Sequence, residues 1–304
     1  MEAKIDYINY CNKNEVPLFF KPFWLDMIDT HWQVIKAEVG NKTLFFPFYI
    51  EKKWGFKFLR NTHLTPYGGL IFNQNLNSID EETKCKLIAL IVNQFPNFSL
   101  LNIDLHPSIK LNEHQFPNFI SSKKKTNVLH LSNKEVCFQE FKSPLQRQIK
   151  KAAKNLVIFE KDDIELFYQL HCKTFDKNNQ LPATPFSSFL KTWETCKQNN
   201  CGKLLFIEDD QKNIHAALFL TFDADTSYYL AGGTDAQYYG SGAMSLLMWH
   251  AIQISFDMGK SQFDFEGSII PSIDAFFKKF SPTEIEYTNL QKTNARLLKL
   301  LNKK

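Results

Sequence analysis

Phe263-Asp264-Phe265-Glu266-Gly267 sets two carboxylates at alternating positions of a predicted strand. Alternate strand residues share a face. Asp264 and Glu266 are therefore expected together on one face, with Phe263 and Phe265 in the core on the other. Carboxylates on the outer face line either a cleft or a solvent surface. In a cleft, Glu266 serves as a proton acceptor or as a ligand for a substrate amine, with Asp264 as a second catalytic candidate. Shortly after, Phe276-Phe277-Lys278-Lys279-Phe280 places two cations among aromatic residues. A lysine beside a reacting carbonyl stabilises the oxyanion of acyl transfer. The other reading is a short helix whose phenylalanines pack the core while both lysines face water.

Gln237-Tyr-Tyr-Gly240-Ser241-Gly242-Ala243 opens an apolar stretch that holds no Gly or Pro until Gly259, in a chain with only 11 glycines. Glycines let backbone N–H groups approach a phosphate, and a helix starting at Ala243 adds unsatisfied donors and a positive dipole end. Gly240 is the position expected to need a bare backbone. The Ser241 hydroxyl either supports the phosphates or serves a plain turn. On the predicted helix from Ser143, Arg147, Lys150, Lys151 and Lys154 fall at i, i+3, i+4 and i+7 and share a face. That face is a solvated cationic surface or a phosphate-binding ridge. His250, on the apolar helix, reads as a core or edge histidine, and His106 before Pro107 is a weaker candidate. The sequence has no P-loop, no G-x-S-x-G and no metal-spaced His/Asp/Glu cluster.

These groups need a scaffold. The first half mixes helices and strands without a strict βαβ repeat. It has a hairpin turn at Gly40-Asn41, a helix capped by Asp80 running to about Asn93, and a strand ended by Pro107. Residues 108–127 read as irregular, with Lys123, Lys124 and Lys125 in a solvated loop. Ser143, Pro144 and Gln146 have the order of a capping box with proline in the first turn. After them come two helices, three strands, the glycine loop with its helix, the FDFEG strand, a short helix, a strand and a basic C-terminal helix. The expected class is α+β with mixed twisted sheets flanked by helices. The expected domains are residues 1–135 and 136–304, with the junction between about Asn127 and Ser143.

The chain has 304 residues, 44% apolar, and a formal net charge of +4. That charge permits a polyanionic ligand without demanding one. No run approaches the roughly 18 apolar residues of a membrane helix, so no stable membrane insertion is expected. The polar N-terminus shows no signal peptide, and six scattered cysteines without a C-x-x-C pair fit reduced thiols in a cytoplasm.

Three strands feeding the 237–243 loop and a helix resemble the GNAT acyltransferase fold, in which a Q/R-x-x-G-x-G/A loop joins strand to helix. A wider resemblance covers nearly the whole chain. "PLFFKPFWLD", "FFPFYIEKKWGFK", "LTPYGGLIF", "LQRQIKKAAK", "YYLAGGTDAQYY", "FDFEGS" and "FFKKFSP" occur in an order similar to the Fem-type peptidoglycan-bridge aminoacyl transferases and their bacterial relatives. This implies two GNAT-like halves, the second complete, and acyl or aminoacyl transfer to an amine. It implies a co-substrate, acyl-CoA or aminoacyl-tRNA, rather than a tightly bound cofactor. The acceptor it implies is a nucleotide-bearing molecule such as a cell-wall precursor.

By the same resemblance, Gln237, Gly240, Ser241, Gly242 and Ala243 hold the donor phosphates, and Lys278 stabilises the oxyanion, with Lys279 as its neighbour alternative. Arg147 and, beside it, Lys151 meet acceptor phosphates, while Tyr67, Gly68 and Gly69 line the acceptor groove. Two departures stand out. The family's Phe-Gly after the basic stretch is Phe280-Ser281-Pro282 here, and the coiled-coil arm of some members, a further RNA contact, is absent. A non-catalytic binding module that keeps the fold is the third reading.

Overall fold

The structure, a computed structural model, describes residues 2–111, 115–175, 182–267, 271–295 and 298. The predicted C-terminal helix lies outside them apart from Leu298, as do Ser268 and most of the polar loop at 176–185. Contacts divide the chain into Met1–Lys125 with Glu286–Lys304, and Thr126–Ile285. The junction expected from the sequence lies at 135/136, with the chain's end in the second half. Both units mix helices with strands, as the α+β reading requires.

The first unit runs α1 (Glu2–Lys13), α2 (Pro22–Ile28), β1 (Gln33–Val39), β2 (Lys42–Phe48), β3 (Glu51–Lys53), β4 (Phe56–Arg60), β5 (Ile71–Phe72), α3 (Glu81–Asn93) and β6 (Leu100–Asp104). The hairpin at Gly40 pairs Val39 with Lys42, and the Asp80 carboxylate caps α3 through the Thr83 amide. Leu87, Ile88 and Ile91 of α3 are fully buried in one core with Ile35, Leu44 and Phe46. Each such side chain contributes about 1.5–3 kcal/mol. The lysine run is not a loop. It lies in β7 (Ile120–His130), where Lys124 pairs with Asp104 at 2.9 Å and Lys123 donates to Thr288 at 3.2 Å. Partners for the lysine tips override the weak strand propensity.

The second unit continues with α4 (Lys134–Glu140), α5 (Ser143–Ala152), β8 (Val157–Glu160), α6 (Ile164–Lys173), α7 (Phe186–Gln198), β9 (Gly202–Glu208), β10 (Ile214–Phe222), β11 (Thr226–Thr234), α8 (Ala243–Asp257), β12 (Gln262–Asp264) and α9 (Pro271–Phe277). β13 (Thr283–Thr293) then returns to the first unit, where it pairs antiparallel with β6. Ser143 begins α5 rather than capping it, and Gln146 reaches back to the carbonyls of Gln139 and Phe141 instead of completing a capping box. Within this unit the strand order is β7-β12-β11-β10-β9-β8. β10 is buried from His215 to Phe222, as a strand covered on both faces must be, with α6 and α8 packed against it.

Two irregularities in β11 open space along its edge. Its register with β10 shifts between Phe219, opposite Ala231, and Leu220, opposite Tyr229, so Leu230 is an extra residue. Such a bulge re-aims side chains. On the other edge, β11 pairs with β12 only through Thr226–Tyr228 opposite Gln262–Asp264. From Tyr229 onward that edge parts from β12.

Gly233 fixes α6 against β11: a Cβ there would lie 2.3 Å from the His171 nitrogen and 2.4 Å from the Leu170 carbonyl carbon. Backbone cannot yield as a side chain can. Gly233→Ala is expected to destabilise the protein by about 1–3 kcal/mol, read as a lower urea midpoint with unchanged slope.

Candidate active site

The parting of β11 from β12 leaves a cleft of about 380 Å³, lined by Tyr229, Gly232 and Thr234 of β11, Gln148 of α5, Ala243, Met244 and Ser245 of α8, and Phe276, Phe277 and Lys279 in and just beyond α9. Because of the extra residue at 230, the Tyr229 hydroxyl stands where a side chain on residue 232 would be, 2.2 Å from its ideal Cβ. Gly232 is thus glycine for the sake of Tyr229. Burial, with the Glu266 carboxyl as the lesser cause, pushes the Tyr229 phenol above the ordinary tyrosine range. The alternation of side chains read from "YYLAGG" could not show this, because the bulge resets it.

Residues 236–241 coil into a short 3-10 turn, and Gly242, at φ +79°, starts α8 without a side-chain cap of its own. Asp235 anchors the turn: its carboxylate accepts the Gln237 amide at 3.0 Å and pairs with Lys173 at 2.6 Å. Tyr238 stacks on His215 with ring centres 3.8 Å apart and planes 6° apart. His215 in turn meets Asp209 at 3.2 Å. Asn213 first, and His215 after it, hold the Asp209 carboxyl down to about 2. Neither His215 nor Gln148 stands out in the sequence, for both act through contacts between distant segments.

Gly242, not Gly240, is the position that needs glycine. A Cβ at 242 would sit 2.8 Å from Gln148 Cγ and 3.3 Å from the Gln148 carbonyl oxygen, at a φ that L-residues rarely adopt. Nothing lies within 4 Å of a Cβ on Gly240, and its φ is not positive. Ser241 Oγ accepts the Ala243 amide at 3.2 Å, so it serves the turn itself. Gly240 and Ser241 also border a second cavity of about 630 Å³ with Lys151 in the last turn of α5, with Lys154 and Asn155 just beyond that helix, and with His215, Asp209 and Asp210. The two cavities flank the same loop. Arg147 and Gln237 are exposed and line neither of them.

The paired-carboxylate expectation fails at Glu266. β12 ends at Asp264, and Glu266 has a left-handed φ of +59°, so the two carboxylates do not share a strand face. Asp264 is buried and structural: it accepts the Thr126 hydroxyl at 2.6 Å and the Glu266 amide at 2.8 Å. It is the bracket that holds Glu266 in its strained turn. Glu266 Oε1 is buried with no hydrogen-bond partner. Burial, then the neighbouring Asp264, pushes its carboxyl well above the ordinary glutamate range.

The two lysines separate. Lys278 Nζ pairs with Asp274 at 2.7 Å and Glu284 at 3.4 Å, and Asp274 raises its pKa. It is not among the residues of the cleft. Lys279 is, with its Nζ 5.8 Å over the Phe276 ring. α9 tightens into a 3-10 turn at Lys278–Phe280, and Ser281 then takes a left-handed φ of +54° while its hydroxyl donates to the Glu140 carbonyl at 2.7 Å. Serine can therefore stand where the resembled family has glycine. Phe277 and Phe280 are buried, so the core role of the aromatic residues and a cleft role for one lysine coexist.

In the first unit, Tyr67, Gly68 and Gly69 border a small cavity of about 50 Å³ with Arg60, Asn61 and Phe19. Tyr67 is buried against Phe19, His106 and Tyr287, which makes it a packing residue. His250 on α8 is half-buried, and burial lowers its pKa. Among the described residues no His/Cys/Asp/Glu group could hold a metal ion.

The fold around this cleft is GNAT-like. Residues 139–279 match the family model described as acetyltransferase (GNAT) domain. Among solved structures the chain is similar to FemX, with a TM-score of 0.69 at 12% identity over 98% of this chain and 97% of that one. It is also similar to a conserved protein of unknown function from Bacteroides thetaiotaomicron, with a TM-score of 0.56 at 11% identity over 90% of each chain. L-PGS from Bacillus licheniformis has a TM-score of 0.54 at 9% identity over 99% of this chain and 94% of that one. At such identities the likeness shows the fold. No curated protein matches the sequence significantly.

Glu266 gives this site a pH signature. Its folded pKa lies above the unfolded value, so the folded state keeps a proton that the unfolded chain releases from about pH 4.3 upward. Stability from this group is present below that pH and falls as pH rises toward the folded pKa, at up to about 1.4 kcal/mol per pH unit. Glu266→Gln mimics the protonated form. The mutant is expected to gain stability relative to the wild type as pH rises above about 4.3, measured by urea unfolding at several pH values.

Proposed function

We propose that the second unit transfers an acyl group from an activated, phosphate-bearing donor to an amine, with an acyl-CoA thioester as the donor. The observation that carries this is the pair of cavities on either side of Gly240–Ala243. The cavity holding Lys151 and Lys154 suits phosphates. The cleft holding Tyr229 and Lys279 suits the thioester carbonyl. Between them the start of α8, where Gly242 has no side chain to cap it, offers the positive end of a helix dipole.

In this reading the acceptor amine attacks the carbonyl carbon, the C–S bond breaks, and the thiolate leaves. Lys279, rather than Lys278, faces the oxygen that gains charge. Glu266, once ionised, accepts the proton that the amine must lose, and Asp264 positions it. The acceptor is an amine on a small molecule or a cell-wall precursor, and the reaction belongs in the cytoplasm, where the six cysteines stay reduced. One observation favours a second donor, aminoacyl-tRNA: Arg147 and Lys151 stand exposed on α5, a cationic face suited to an RNA backbone.

Saturation binding of acetyl-CoA and of a charged tRNA to the purified protein tests this. Acetyl-CoA is expected to bind, and Gly242→Ala to weaken it at least tenfold while Gly240→Ala leaves it unchanged. Binding of the tRNA alone selects the second donor. Binding of neither leaves a module that keeps the fold without the chemistry. With turnover followed by thiol release, Lys279→Met is expected to lose roughly a hundred- to a thousand-fold in kcat, about 2.7–4 kcal/mol, while Lys278→Met stays within a few-fold. Equal small effects from both substitutions would remove Lys279 from the mechanism.

A further inference from the structure

The hairpin joining β3 and β4 carries residues that the fold does not use. Lys53 pairs with Phe56, which leaves Trp54 and Gly55 as a two-residue loop. Both have left-handed φ, +53° and +76°, the geometry of a type I′ turn. That turn favours Asn-Gly or Asp-Gly, because a bulky side chain at positive φ is strained. Trp54 is nevertheless 79% exposed. It buries little in return for the strain, and its ring meets the Lys53 ammonium, 4.4 Å from the ring centre.

A second cost lies beside it. Lys52 and Lys57 are direct cross-strand partners, a like-charge pairing that weakens a hairpin. The one carboxylate of this hairpin, Glu51, is already taken by Arg60 at 2.7 Å. Lysines on an edge strand deter edge-to-edge pairing, and β3 is an edge strand. That accounts for Lys52 and Lys53. It does not account for an exposed tryptophan in a strained position.

We propose that this hairpin tip docks the protein on an anionic bilayer surface, with Trp54 seated at the headgroup level and Lys52, Lys53 and Lys57 on the lipid phosphates. Tryptophan favours the membrane–water interface, and clustered lysines are drawn to anionic leaflets. One strongly exposed aromatic on a hairpin that also carries Lys52, Lys53 and Lys57 fits a lipid interface better than single-stranded nucleic acid, which is bound by successive stacking platforms. No helix among the described residues is long and apolar enough to cross a membrane, so the contact is peripheral. The proposal does not depend on the donor or on the chemistry of the second unit.

The test uses the full chain with phosphatidylcholine vesicles, with and without phosphatidylglycerol. Trp24, Trp32, Trp193 and Trp249 are buried, so a blue shift of emission on adding vesicles reports on Trp54. Trp54→Asn supplies the residue that the turn prefers, so its Tm is expected to equal or exceed that of the wild type. The expected result is salt-sensitive partitioning of the wild type to the anionic vesicles with a blue shift. Trp54→Asn should lose both, at least tenfold in partitioning, and Lys52→Gln with Lys57→Gln should lose the preference for anionic lipid. Equal partitioning of wild type and Trp54→Asn would overturn the proposal. So would no preference for anionic vesicles, or binding to poly(U) RNA through Trp54 without any binding to vesicles.

Discussion

The separation of β11 from β12 after Tyr228 and Asp264 is the constraint on which the candidate site depends. Two parallel strands that stay paired leave no room between them. Here β12 stops at Asp264, whose carboxylate turns the chain by holding the Glu266 amide and is itself fixed by Thr126. On the facing strand the extra residue at 230 swings Tyr229 toward the opening. The Tyr229 phenol and the Lys279 ammonium thereby border one space, and the Glu266 carboxyl, which does not line it, lies near enough to raise the phenol's pKa. The strain of a glutamate at positive φ persists because its surroundings hold it there.

The second organising contact is that of α5 with the start of α8. Gly242 lies so close to Gln148 that no side chain fits, and the Ser245 hydroxyl donates to Gln148 Oε1 at 3.0 Å. α5 therefore sets the height at which the α8 amides are presented. Its own end brings Lys151 and Lys154 beside Gly240 and Ser241. Stability and site geometry share these contacts, so substitutions at Gly242 and Gly233 act on both.

Much of the scaffold is legible in the sequence, because periodicity, caps and turns are local. The hairpin at Gly40, the α3 cap at Asp80 and the strand–loop–helix order around residues 226–257 are of this kind. The features that are not legible depend on register or on distant partners. Two-residue alternation puts Asp264 and Glu266 on one face, but a strand that ends one residue after Phe263 does not. Helical spacing cannot say which of two adjacent lysines faces a cleft when a 3-10 turn intervenes. The glycine pattern marks the loop, yet the glycine that matters is named only by the proximity of α5. The basic face of α5 is legible as a face, but its division, with Lys151 beside the loop and Arg147 exposed, is not.

Hydrogen exchange of the second unit with and without acetyl-CoA tests the central claim most directly. If the donor lies along the open edge of β11 and on the α8 terminus, protection must concentrate in peptides covering residues 229–246 and the end of α5, with α7 unchanged. Binding without protection of residues 236–246, or protection confined to other segments, would contradict the account.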